Sequence, residues 1–217
     1  YLAEARLGFA TDTDDATGTA LGDPVPVRVT EVEMRAALEA FRGVRTQRPP
    51  AFSAKHVAGE RSYRLARRGA AVELPAVPVD VTAVEFLELA GDRVRFRVTV
   101  SAGTYVRALA RDLGEELGCG AHLIALRRER IGRLDVADAV ALDALGPGTP
   151  LLPAQAVLPE LPLRSLDAAE ADAVRHGRAI AGATETGTVA LLLDGALLAI
   201  GEAAEGLIQP RVVLEGG

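Results

Sequence analysis

Two periodicities organise the chain. From Arg93 to Ser101 apolar and polar residues alternate strictly, with Val94, Phe96, Val98 and Val100 on one side and Arg93, Arg95, Arg97 and Thr99 on the other. That is the pattern of a strand with one buried face. Val81 to Leu89 reads as its partner, and Gly91-Asp92 suits the tight link between them. After Ser101-Ala102-Gly103 the period becomes helical: Val106, Leu109, Ala110, Leu113 and Leu117 fall on one face and Gly118 ends the run. Thr104 is the expected N-cap of this helix. Tyr1 to Gly8 reads as a further strand, and Asp12 to Gly18 as a polar turn that lacks the ligand spacing of a calcium loop. Thr30 and Glu33 form a capping box that opens a helix to about Phe41, with Val32, Ala36, Leu38 and Phe41 expected to face inward. Arg48-Pro49-Pro50 interrupts regular structure, and Arg61 to Arg68 predicts a short basic helix closed by Gly69.

Prolines from Pro147 to Pro162 mark a crossing segment. Beyond it Ser165 is expected to cap a helix that runs to His176 and stops at Gly177. Val189 to Leu193 and Ala196 to Ala199 then predict a hairpin turned by Asp194-Gly195, and Arg211 to Leu214 a last strand. The 217 residues, 49% of them hydrophobic, suffice for one medium domain and one small one. No apolar run reaches the roughly 18 residues that span a bilayer, and no signal-peptide pattern opens the chain. Its first residues lack Met and read as the middle of a strand, so a start inside a longer protein is expected.

Cys119 is the only cysteine, which rules out an internal disulfide and a multi-cysteine zinc site and suits the cytoplasm. His56, His122 and His176 lack metal-ligand spacing, so no metal is expected. His122 reads as a structural residue at a helix exit and Cys119 as a small buried filler. The net charge of −6 is unevenly spread. Arg42, Arg45, Arg48, Lys55, Arg61, Arg64, Arg67 and Arg68 face Glu60 alone, and Arg127, Arg128, Arg130 and Arg133 form a second cluster. Such local basic surface is compatible with phosphate contacts or with solvated helix faces. Signatures of nucleotide hydrolysis, dinucleotide binding, serine esterases and zinc proteases are absent from the sequence.

Four unusual strings remain, in a fixed order. They are Tyr1 to Gly8 with Thr11 to Asp15 and Gly18; Arg48 to Tyr63; Ser101 to Arg107; and Gly118 to Leu123 with Leu126-Arg127-Arg128. Together they resemble the TruB family of bacterial tRNA pseudouridine synthases. The C-terminal part, carried by Leu166-Asp167, His176-Gly177, Asp194 to Gly201 and Pro210 to Leu214, resembles a PUA domain, a small RNA-binding β-barrel.

The resemblance implies an α+β fold: a mixed, largely antiparallel sheet flanked by helices in residues 1–162, with a PUA barrel in residues 163–217. It implies isomerisation of a T-loop uridine of tRNA, in which the C1′–N1 bond breaks and C1′–C5 forms. An aspartate attacks a flipped-out base, with neither metal nor cofactor. Arg107 corresponds to the cation that holds this carboxylate ionised. Tyr1 corresponds to the tyrosine that stacks on the uracil and is a candidate for proton removal at C5. Tyr105 and Leu126 are expected to line the pocket. Residues 42–69 correspond to a basic insertion that grips the tRNA arm, so Arg48, Lys55, His56, Arg61, Arg64, Arg67 and Arg68, with Arg127 and Arg128, are expected RNA contacts. His56 stands where the family usually has Lys, and Phe52 where Tyr is common. The motif bearing the nucleophile is absent, Asp12, Asp14 and Asp15 lie downstream of its place, and the chain alone is expected to be inactive and monomeric. The alternatives are a non-catalytic RNA-binding or chaperone module, and the relative that works inside a guide-RNA particle.

Overall fold

The computed structural model describes residues 1–53, 55–57, 60–68, 74–158, 161–182 and 186–214. They form two compact units, Tyr1–Glu129 and Arg130–Gly217. The boundary at Arg130 precedes the 162/163 division read from the sequence.

The first unit contains β1 (Leu2–Leu7), α1 (Glu31–Glu39), β2 (Gly43–Gln47), β3 (His56–Val57), β4 (Glu60–Arg61), α2 (Ser62–Arg67), β5 (Val77–Ala90), β6 (Arg93–Val100), α3 (Val106–Glu116) and β7 (Ala121–Arg127). Five strands pair antiparallel in the order β2-β5-β6-β1-β7, and β3-β4 is a separate small hairpin. The alternation read from β6 holds: Val94, Phe96 and Val98 are buried while Arg93, Arg95 and Arg97 are exposed. Those arginines pair with Glu4, Glu88, Glu85 and Glu129 across the outer face. β5 begins four residues before its predicted start, and Pro78 lies in that extension. There β5 pairs only with β2, since pairing with β6 begins at Val81. A proline is tolerated at such a single-partnered end because one edge of the strand needs no N–H.

Helices α1 and α3 pack with the sheet around one core that joins Ala3, Ala5, Leu7, Val94 and Phe96 to Val106, Leu109, Ala110 and Leu113. The expected helical face of α3 is therefore buried, and Gly118 closes it at a φ of 67°. In α1 the capping box of Thr30 and Glu33 is present. Its inward stripe is corrected: Met34, Ala37, Leu38 and Phe41 are buried, whereas Val32 and Ala36 are exposed. The buried set keeps i, i+3, i+4, i+7 spacing and the expected set does not.

The second unit holds β8 (Arg130–Ile131), β9 (Leu134–Asp135), β10 (Leu163–Ser165), α4 (Ala168–Arg175), β11 (Ile180–Ala181), β12 (Gly187–Leu193), β13 (Ala196–Ala204) and β14 (Leu207–Val213). Its main sheet runs β10-β12-β13-β14-β11, a half-barrel over a core in which Ala171 and Val174 of α4 meet Leu191, Ala199 and Ile208. The β12–β13 hairpin turns on Asp194 (φ 50°) and Gly195 (φ 79°), the left-handed pair that a two-residue turn requires. The cap of α4 is Asp167, in a capping box with Glu170, rather than Ser165, which belongs to β10. Gly69, expected to close α2, lies outside the described residues.

Candidate active site

The glycine corner between β6 and α3 is fixed by short-range bonds. Ser101 accepts a hydrogen bond from the Asp80 amide at 2.9 Å and lies 3.2 Å from the Thr104 hydroxyl, while Gly103 takes a φ of 84°. Thr104 is not the cap. Tyr105 holds that position without a side-chain bond of its own, and Gln47 of β2 clamps its backbone. Buried Gln47 accepts from the Tyr105 amide at 2.9 Å and donates to its carbonyl at 3.1 Å. The residue that opens α3 is thereby held from 58 residues away.

Arg107 and Arg111 follow one turn apart on the flank of α3 and reach two other segments. Arg107 Nη1 donates to the Asp15 carboxylate at 2.9 Å and the Thr13 carbonyl at 3.0 Å, and Nη2 to the Phe52 carbonyl at 3.0 Å. Arg111 Nη1 donates to the Asp14 carboxylate at 2.9 Å, and Nη2 to the Arg48 carbonyl at 2.9 Å and to Asp112 at 2.7 Å. The loop bearing both aspartates is docked on β7 through Leu123, whose amide and carbonyl bond the Asp14 carbonyl and the Ala16 amide. Partial burial would raise the Asp15 carboxyl. Hydrogen bonds from Thr17 and Thr13, together with Arg107, outweigh it and hold the pKa below the usual range. Asp14 is the opposite case: burial dominates Arg111 and Arg107 and pushes it up to about 6. Asp12 accepts from the Thr19 amide at 2.8 Å and closes the loop.

Tyr1 packs against the core that contains Val106. Its hydroxyl accepts from Arg128 Nε at 2.9 Å, and the Arg128 guanidinium stands 5.2 Å from the ring centre. Leu126 is half-exposed on β7 and opens onto a shallow depression shared with Leu2, Glu4, Arg95 and Arg127. Arg48, Arg61, Arg64, Arg68 and Arg127 are exposed and Lys55 is half-buried. His56 faces Arg61 in the β3–β4 pairing; the side chains of His56 and Arg67 lie outside the described residues. The basic segment is closed at its root, where the Ser62 hydroxyl donates to the Ala51 carbonyl and the Tyr63 amide donates to the Ser53 carbonyl at 3.1 Å. Arg64 and then Arg61 beside the Tyr63 hydroxyl lower its pKa. His122 is buried in β7 rather than at the helix exit, with Nδ1 3.1 Å from the Phe9 carbonyl and its ring against Phe9. Among the described residues no cluster of His, Cys, Asp and Glu could hold a metal ion.

The sequence reading names Arg107 but not Gln47, Asp14, Asp15 or Arg111 as its surroundings. The signal was present: two arginines spaced i, i+4 on a helix flank and two adjacent acids in a turn-rich loop.

An antiparallel sheet backed by helices, with a glycine corner that presents an arginine beside a carboxylate, is the frame that comparison with known proteins specifies. Residues 1–106 match the profile described as "TruB family pseudouridylate synthase (N terminal domain)". Residues 107–147 match "tRNA pseudouridylate synthase B C-terminal domain" and residues 162–214 match "Pseudouridine synthase II TruB, C-terminal". The tRNA pseudouridine synthase B of Thermobifida fusca is 43% identical across all of this chain and 77% of its own length. That of Aromatoleum aromaticum is 42% identical over 97% of this chain and 71% of its own. A solved Cbf5-Nop10-Gar1 complex contains a chain with a TM-score of 0.67 at 26% identity, matched over 99% of this chain and 64% of that one. The chain belongs to the TruB family of pseudouridine synthases, with a PUA-like half-barrel at its C-terminus.

Proposed function

We propose that this chain forms the body of a cytoplasmic, monomeric enzyme that isomerises a T-loop uridine of tRNA to pseudouridine, and that the attacking carboxylate is none of Asp12, Asp14 or Asp15. The observation that carries the reading is the donor count on Arg107. Its Nη1 and one Nη2 hydrogen are spent on Asp15, Thr13 and Phe52, which leaves the Nε–H and a second Nη2–H without a partner among the described residues. A guanidinium can bind a carboxylate side-on through its Nε–H and an Nη2–H. Asp15 orients the guanidinium without exhausting it, so the fork stays poised to keep a second, nucleophilic aspartate ionised in a half-buried site. The three acids of the loop are already committed: Asp15 to Thr13, Thr17 and Arg107, Asp14 to Arg111, Asp12 to Thr19. On this reading the nucleophile lies outside this loop.

Reaction then needs a flipped base, which Tyr1 stacks upon and Tyr105 and Leu126 help enclose. The carboxylate attacks as the C1′–N1 bond breaks and is released as C1′–C5 forms on the turned base; on this reading Tyr1 takes the proton from C5 and N1 gains one, so that the net change is an isomerisation. Neither metal nor cofactor enters. Affinity for the T-arm comes from phosphate contacts of Arg48, Lys55, His56, Arg61, Arg64, Arg67 and Arg68, with Arg127 and Arg128, while shape and the extruded base give recognition.

The test is pseudouridine formation on an unmodified tRNA transcript, without guide RNA, by this chain and by the chain extended at its N-terminus with the native sequence. Activity in the extended form alone supports the reading. Activity of the chain by itself places the nucleophile among its own acids, and tRNA binding without product in either form favours a binding module. In the active form Arg107→Ala is expected to lower turnover by roughly a hundredfold or more while tRNA affinity changes little; equal turnover removes Arg107 from the site.

A further inference from the structure

Arg107 is held by Asp15, and the residue next to Asp15 is held by a second arginine. Asp14 has a φ of 60°, and such a left-handed residue turns the two adjacent carboxylates apart. Each then meets a different guanidinium, Asp15 that of Arg107 and Asp14 that of Arg111, one helical turn further along α3. The two clamps are built alike, since each arginine also takes a carbonyl from the Arg48–Phe52 segment. Asp14 and Arg111 are the more deeply covered pair, with side chains 9% and 18% exposed against 24% for both Asp15 and Arg107.

We propose that Arg111 and Asp14 are positioning residues for the isomerisation: by fixing the backbone on either side of Asp15 and Phe52, they set the plane in which Arg107 offers its free fork. This rests on the reading of Arg107 given above. Neither residue touches the reacting atoms. Their effect is geometric, and misplacement of a catalytic group by a fraction of an ångström is enough to slow the chemical step.

The pH dependence separates positioning from mere support of the fold. Asp14 is faced by Arg111, Arg107, Asp112 and Glu115 of α3, and its backbone carbonyl accepts from the Leu123 amide of β7. Its pKa is raised to about 6 by burial, so it is ionised and holds Arg111 above that pH and releases its charge below it. Stability moves the other way. A carboxyl whose pKa is raised on folding binds its proton more tightly in the folded state, so through Asp14 acid stabilises the fold. For this pair, falling pH weakens the clamp and strengthens the fold.

The experiment is single-turnover pseudouridine formation by the full-length enzyme on either side of about pH 6, for wild type, Asp14→Asn and Arg111→Gln, with tRNA affinity and unfolding midpoint measured alongside. Asparagine keeps the left-handed backbone and an acceptor, so Asp14→Asn removes the charge with little strain. At neutral pH both variants are expected to lose roughly ten- to a hundredfold in rate with tRNA affinity unchanged. The ratio of wild type to Asp14→Asn should narrow below about pH 6, even as the wild-type fold gains stability relative to the variant. Equal rates at neutral pH, or a deficit that follows the unfolding midpoint at every pH, would overturn the proposal. Failure of the wild type itself to make pseudouridine would instead overturn the functional reading.

Discussion

Gln47 shows how much one side chain can hold. It is among the most deeply buried polar residues of the first unit, and both ends of its amide are spent on the backbone of Tyr105. Replacing it with Leu keeps the volume and leaves the Tyr105 N–H at the start of α3 without its partner, while the Tyr105 carbonyl keeps the Leu109 amide. The expected cost is ~1–3 kcal/mol in denaturant unfolding. Because Arg107 stands two residues on, turnover should fall as well. Unchanged stability would mean that Tyr105 finds another partner. Asp14 makes a second claim at this scale: with a folded pKa of about 6 against 3.8, it should add up to ~3 kcal/mol to folding stability as pH falls from neutral, a gain that Asp14→Asn abolishes. Asp15, held below the usual range, contributes in the opposite sense, with stability present at neutral pH and lost only in strong acid. Arg107 could be read from the sequence because its motif is contiguous. Gln47 could not, since its partner lies 58 residues away and nothing near it in the chain points there.

At the level of elements, what was legible was what neighbours along the chain decide. The strict alternation of β6 and the helical run of α3 each contain enough residues to settle the buried face, and both were read correctly. The short helix α1 offered two competing faces. Its boundary and capping box were visible, but the choice of Met34, Ala37, Leu38 and Phe41 over Val32 and Ala36 was made by the sheet it packs on. The two faces make unequal predictions. Met34→Ala empties a fully buried position and should cost ~2–5 kcal/mol. Val32→Lys, at a position 77% exposed, should stay within ~0.5 kcal/mol. Comparable losses would mean that α1 rotates to bury Val32. The start of α4 failed for a related reason: Ser165 and Asp167 are both good caps, and the parallel pairing of Leu163–Ser165 with β12 claimed the first as strand.

For the whole molecule the decisive quantity is where charge lies, since a net −6 gives an average field that repels nucleic acid. The arginines of β6 spend their charge on Glu4, Glu88, Glu85 and Glu129, so this paired set carries no net positive charge. Between Arg42 and Arg68 the only acidic residue is Glu60, and Arg61 and Arg64 are exposed there. Two double neutralisations separate location from total charge. Arg61→Gln with Arg64→Gln and Arg93→Gln with Arg95→Gln remove the same charge from the molecule. If phosphate contacts govern affinity, the first pair should weaken tRNA binding and flatten its dependence on salt by roughly one in slope for each phosphate no longer neutralised, and the second should leave both unchanged. Equal effects from the two would mean that tRNA responds to the overall field and that the basic stretch is a solvated face. A selective effect would place the grip in the segment whose root Arg107 and Arg111 hold through the carbonyls of Phe52 and Arg48, and so would join it to the helix that carries the proposed catalytic arginine.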